Sequence, residues 1–246
     1  GFRDGGSLAE IVAAADIILS IMPPEFALAQ AEAAADAMRD TGATPPYADC
    51  NAISPETARR IGQIIAGAGA EFIDGGIIGH PPNGALPPTR FYVSGPGADA
   101  MATFDSKGII VRQCGSEIGR GSAVKMAYAG ISKGTSALHA AMLIAAERLG
   151  VADELYGELQ SSTPAIYKRM ENLTPALPAV SDRYVGEMLE IAETLSACGV
   201  TAGFHEGAAE LYRLLGKSPF ASERRDTVDK NRSLRETIKV CARVKS

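Results

Sequence analysis

Short apolar runs separated by longer amphipathic stretches set the pattern of the first half of the chain. Asp16–Met22 is almost continuously apolar, the signature of a strand buried on both faces of a parallel sheet. Tyr47–Cys50, Phe72–Ile78, Arg90–Ser94 and Gly108–Arg112 repeat the signal. Helical patterns lie between them. Ser7–Glu10 (S-L-A-E) reads as a capping box opening a helix to about Ala15. Pro23-Pro24 ends the first strand and leads into an alanine-rich helix from Glu25 to about Arg39. Ser54 caps, and Pro55 begins, a helix that stops near Gly67. The glycine pair within Phe72–Ile78 suggests that the backbone of that strand is approached closely by something else. The loop His80–Pro88 holds four prolines and reads as an ordered surface loop in a functional position.

After residue 115 the strand signal disappears. Leu138–Ala146 is apolar except for His139, the pattern of a buried helix. Further helical patterns cover 152–170, 180–198 and 204–215, and Ser233 opens a last helix with S-L-R-E. The expected organisation is an α/β Rossmann-like domain with a mostly parallel sheet over 1–115, then an all-helical domain over 116–246.

Composition narrows the function. With 46% hydrophobic and 22% charged residues over 246 positions, the chain has enough apolar surface for one large or two ordinary domains. A net charge of −5 with interspersed signs offers no basic face for nucleic acid. No apolar run approaches the ~18 residues of a membrane span, and GFRDGGSLAE does not have the pattern of a signal peptide. Cys50, Cys114, Cys198 and Cys241 lack CxxC spacing, which points to free thiols in a cytoplasmic protein. His80, His139 and His205 show no metal-ligand spacing, so no metal is expected.

Candidate chemistry gathers on Gly119–Gly134, GRGSAVKMAYAGISKG. At about 100° per residue, Lys125, Ala129 and Ser132 share a helix face, with Tyr128 on its edge. A lone amine on an apolar helix either snorkels to water or serves chemistry. Ligands of a doubly wound sheet bind at the carboxyl ends of its strands. Those ends carry Met22-Pro23-Pro24, Asp49–Pro55, Ile78–Pro82 and the entry to Lys125. No glycine-rich phosphate turn follows the first strand. Gly119-Arg120-Gly121 lacks the third glycine and the acidic residue that follows such a turn about 20 positions on. The expectation is a Rossmann-like domain that is N-terminally incomplete in this chain, without its first strand, glycine turn and ribose-binding strand.

The segments SLAEIVAAADIILSIMPP, DCNAISP, FIDGGIIGHPP and GRGSAVKMAYAGISKG resemble the β-hydroxyacid dehydrogenase superfamily, which includes 6-phosphogluconate and 3-hydroxyisobutyrate dehydrogenases. The stretch DRYVGEMLEIAETLSACGVTAGFHEGAAELYRLLG resembles the helical C-terminal domain of a 6-phosphogluconate-dehydrogenase-like branch. The resemblance implies NAD- or NADP-dependent oxidation of the hydroxyl of a small hydroxyacid, with Lys125 as general acid/base. It implies that Met22, Pro23 and Asn51 contact the cofactor, and that Asn51, Ala52, Gly79, His80, Tyr128 and Ser132 contact the substrate. It also implies a homodimer formed by the helical domain. Departures narrow the reaction. Ala129 stands where relatives have asparagine, and against the KMVHNGIEYG pattern Tyr128, Ser132 and Lys133 replace histidine, glutamate and tyrosine. Without that glutamate, decarboxylation of 6-phosphogluconate is disfavoured, while simple alcohol oxidation needs one acid/base and stays open. The alternatives are a non-catalytic relative that binds a small acid or a partner, and an imine or enamine reductase. Retention of Lys125 argues against the latter.

Overall fold

The computed structural model describes residues 3–81, 87–224 and 227–245. The chain forms two compact units, Gly1–Tyr128 and Ala129–Ser246. An α/β, Rossmann-like unit is followed by a helical one. The division falls 13 positions after residue 115, so the helix bearing Lys125 belongs to the first unit.

The first unit begins with α1 (Leu8–Ala14), where Ser7 and Glu10 form the expected reciprocal capping box. Next come β1 (Ile18–Ser20), α2 (Ala27–Thr41), β2 (Tyr47–Asp49), α3 (Pro55–Gly67), β3 (Phe72–Ile78), β4 (Thr89–Ser94), β5 (Ile109–Gln113) and α4 (Arg120–Ala129). Ser54 caps α3 by accepting from Thr57 N, with Pro55 in the first turn. A short 3-10 turn, Pro24–Phe26, separates Pro23 from α2, so that helix starts later than the alanine pattern suggests. The strands lie in the order β1-β2-β3-β4-β5. Pairing is parallel throughout except between β3 and β4. Only ten residues separate Ile78 from Thr89, fewer than a parallel crossover needs, and so short a return forces the antiparallel sense. The interior of that proline-rich loop, 82–86, lies outside the described residues.

Expected as a strand buried on both faces, β1 is instead three residues long at the sheet edge, with Leu19 37% exposed. A parallel strand is covered on both faces only where helices flank it on both sides. Each face of the sheet carries its own core. On one, Val12, Ala31, Ala34, Ala35, Ile61, Ile65 and Phe72 pack α1, α2 and α3 against the strands. On the other, Ala48, Ile73, Phe91 and Val93 meet Ala98 and Met101. Small residues along α2 let it lie close to its neighbours, while each buried Ile or Phe contributes about 1.5–3 kcal/mol.

The second unit opens with a π-helical turn, Gly130–Gly134. There follow α5 (Thr135–Leu149), α6 (Ala152–Ser162), α7 (Pro164–Leu173), α8 (Ser181–Ala197), α9 (Gly203–Gly216) and α10 (Leu234–Cys241). No strand occurs after Gln113 among the described residues. The single helix expected over 152–170 is two, because Thr163 leaves the helical region (φ −136°, ψ 57°) and Pro164 starts afresh. The buried helix expected over Leu138–Ala146 is buried on one side only. Ala140, Leu143 and Ile144 are covered, while Leu138 and Met142 are 59% and 54% exposed. Between them α8 and α9 bury Met188, Ile191, Ala209, Tyr212 and Leu215.

Candidate active site

Parallel pairing of β1, β2 and β3 brings their carboxyl ends to one edge. The register aligns Ser20, Asp49 and Asp74 side by side, and Ser94 of β4 extends the row. All four are buried, at 4%, 1%, 0% and 0% exposure. Such a row survives only if its polar atoms are paired.

Asn51 satisfies one end. Its Nδ2 donates to Ser20 Oγ (3.1 Å) and Asp49 Oδ2 (2.9 Å), and its own N–H donates to Asp49 Oδ1 (3.0 Å). Its Oδ1 accepts from Met22 N at 2.6 Å. The side chain expected to touch ligands is thus 3% exposed and engaged with its own fold. It fixes the loop that presents half-buried Met22 and exposed Pro23. Cys50, next to it, is inert: burial first, then the charges of Asp49 and Asp74, push its thiol far above the usual value.

Asp74 satisfies the other end. Its carboxylate accepts from Gly119 N (3.0 Å), Ser122 N (3.0 and 3.2 Å), Ser122 Oγ and Ser94 Oγ (2.8 Å). Ser94 Oγ in turn accepts from Gly121 N at 3.1 Å. The amides at the start of α4 are therefore occupied by side chains of β3 and β4. This explains in physical terms why Gly119-Arg120-Gly121 is no phosphate turn: a carboxylate already sits where an anion would bind.

Glycines set the distance. A Cβ on Gly76 would lie 2.5 Å from Gly121 O and 2.8 Å from Lys125 Cβ, and one on Gly121 would lie 2.6 Å from Tyr92 O. The close backbone approach suggested by the glycine pair is that of α4. Half-buried Lys125 runs along this contact, and its Nζ donates to Ile77 O at 2.5 Å. Gly79 and His80 follow on the exposed side of the same strand end, Gly79 with φ of +130°. Thr89 Oγ1 donates to His80 O, tying the two ends of the proline-rich loop.

The fold of the chain is shared with proteins of known structure. A conserved hypothetical protein from Sinorhizobium meliloti 1021 is 26% identical, with 96% of this chain aligned to 77% of that one and a TM-score of 0.66. A conserved protein of unknown function, described as structurally similar to 3-hydroxyacid dehydrogenases, is 26% identical over 86% of this chain and 81% of its own, with a TM-score of 0.59. A 3-hydroxyisobutyrate dehydrogenase from Salmonella typhimurium aligns with 95% of this chain and 82% of its own at 16% identity, with a TM-score of 0.60. The chain has the β-hydroxyacid dehydrogenase fold. Residues 146–215 match a domain of unknown function, DUF1932, over the helical stretch where the C-terminal resemblance lay. No curated protein matches the sequence.

Within this fold the expected residues separate. Met22, Pro23, Asn51, Ala52, Gly79, His80, Lys125 and Tyr128 all belong to the first unit, and Tyr128 is 53% exposed one turn beyond Lys125. Ser132 belongs to the second. The 3.6-residue period that grouped it with Lys125 is interrupted at Gly130, because a π turn closes i→i+5 bonds. Ser132 Oγ donates to Ala129 O (3.4 Å). Asp74, Ser94 and Ser122 were missed. Their only sequence signal is polar residues inside or beside apolar runs, and their partners lie 20 to 48 positions apart.

Proposed function

We propose that the chain is part of an oxidoreductase that oxidises the hydroxyl of a small hydroxyacid with NAD or NADP, and that Lys125 is the general acid/base. The observation that carries this is the amine of Lys125, half-buried on a glycine-tight contact and oriented by Ile77 O at the carboxyl end of β3. The neutral amine takes the substrate's hydroxyl proton and returns it in the reverse direction. The bond to Ile77 O can persist in both protonation states, since an amine and an ammonium both donate. A nicotinamide supplies the hydride acceptor. Met22 and Pro23, presented by the Asn51 clamp, offer it a partly apolar shelf, and the occupied amides of α4 leave its phosphates to be held elsewhere. Ala52, Gly79, His80 and Tyr128 are the proposed substrate contacts, His80 toward the carboxylate, while Asn51 acts through Met22.

The test is turnover of a hydroxyacid panel with each cofactor. Lys125→Ala is expected to lower turnover by about 10²–10⁴, and Lys125→Arg nearly as much, because guanidinium stays protonated. Wild-type turnover and an unchanged pH profile in Lys125→Arg would sink the assignment.

A homodimer through the second unit is part of the same proposal. Leu138 and Phe204, the latter 77% exposed, border an open, mostly apolar groove of about 430 Å³ beside Gly130, Gly134 and Leu211. Light scattering should give twice the chain mass, and Phe204→Glu should shift it toward monomer. A monomer at micromolar concentration for the unmodified protein would refute the dimer.

A further inference from the structure

We propose that Asp74 is the positioning residue for the Lys125 amine, acting through Ser94 and Ser122, an inference that rests on Lys125 as the acid/base. Two features of one strand bring them together. At Asp74, β3 holds the first turn of α4 by the bonds to Gly119, Ser122 and, through Ser94, Gly121. Three residues on, Ile77 O holds the lysine head group. In a strand that separation is about 10 Å. On the helix, Ser122 and Lys125 are also three residues apart, a rise of about 4.5 Å, and the lysine stem covers the remainder. The helix is thus pinned to β3 at its start and at its functional side chain.

Between the pins, Gly76 against Gly121 and Lys125 Cβ leaves no room for a side chain, so the helix can neither slide nor roll without losing the Asp74 bonds. A carboxylate is the group suited to this place. It accepts several bonds at once, it carries the charge that the amino end of a helix favours, and it is fully buried, so water does not compete for it. A merely structural cap would stabilise α4 whatever the lysine did. A positioning group must also govern where the amine sits.

Amine reactivity separates these roles. Lys125 acylation by an activated ester is measured by mass spectrometry in the chain, with exposed Lys107 and Lys168 as internal references. The variants are Asp74→Asn, Ser94→Ala and Ser122→Ala, each checked for folding by urea denaturation. The serine variants carry the test if Asp74→Asn does not fold. Weakening one hydrogen bond of this network should release the amine and raise Lys125 acylation relative to the references by about five- to tenfold. In parallel, turnover should fall tenfold or more with KM changed less than about twofold, as for a misplaced reacting group. Unchanged acylation in the folded serine variants would overturn the proposal and leave Asp74 a helix cap. If Lys125→Ala keeps full activity, the acid/base assignment fails instead, and the acylation rates still decide whether Asp74 places the amine.

Discussion

In the first unit the buried polar groups stand on strands and reach outward to a helix and a loop: Asp74 and Ser94 grip the amides of α4, and Asp49 with Ser20 receives Asn51. In the second unit helices grip a helix. His205 Nε2 donates to Gly130 O (3.2 Å), Tyr212 Oη donates to Lys133 O (2.8 Å), and Lys133 pairs with Glu187 while lying over the Tyr184 ring. The first arrangement holds a regular helix start against a sheet. The second holds an irregular turn whose backbone bonds are displaced from the α pattern. A strand edge places a functional group by register, whereas a π turn must be held from outside by side chains.

The sharpest break would come in the second unit. Glu187 is 4% exposed and answers both Lys133 and Arg183. Glu187→Ala should cost about 3 kcal/mol, because the Lys133 ammonium, 18% exposed, loses its carboxylate and keeps the Tyr184 ring, and Lys133→Met/Glu187→Leu should recover most of it. Urea denaturation of the single and double variants measures this. A loss below 1 kcal/mol would mean that the π turn does not need the pair.

In the first unit the corresponding lesion is steric. Gly121→Ala places a Cβ 2.6 Å from Tyr92 O and 2.7 Å from Asp74 O, backbone atoms that cannot rotate away. A loss of about 2–3 kcal/mol is expected, with lower turnover even where the protein stays folded. Gly157→Ala, with nothing within 4 Å of the added Cβ, is the control. Equal melting temperatures for the two variants would contradict a tight α4–β3 contact.

The smallest effect concerns pH. Burial, and then the charge of Arg169, lower the pKa of His139 from its ordinary 6.5. The fold keeps the ring neutral more readily than the unfolded chain does. That contribution is complete above about 6.5 and is lost as pH falls through the lower folded value. Urea midpoints from pH 7.5 to 5 should decline more steeply in the wild type than in His139→Gln, and parallel slopes would remove His139 from the account.

The same contrast explains what was legible in the sequence. Strand positions and the change to helices follow from local periodicity, and the Phe72–Ile78 glycine pair announced a close approach without naming its partner. Lys125 stood out because a charge in an apolar helix is rare. Asp74 did not, since one acidic residue in FIDGG looks like a strand interruption until Gly119 and Ser122, at least 45 positions later, arrive as donors. The edge position of β1 depends on which strands flank it, and the exposure of Leu138 and Met142 on tertiary packing. Pro164 was a readable stop for α6, overridden by the apolar period on either side. The π turn has no local signal beyond the glycines that bracket it.

That turn also changes how this helix should be compared with others. An i→i+5 turn is equivalent to inserting one residue into an α-helix. A homologue whose helix runs unbroken must be aligned with a one-residue gap between Gly130 and Gly134, and every correspondence after the gap moves by one place. Counting seven positions from Lys125 reaches Ser132 in this chain, but across that gap the same count in an uninterrupted helix pairs with Lys133. Single-residue deletions across 130–134 are therefore the genetic changes most apt to restore a regular helix here, at the expense of whatever the irregular one was kept for.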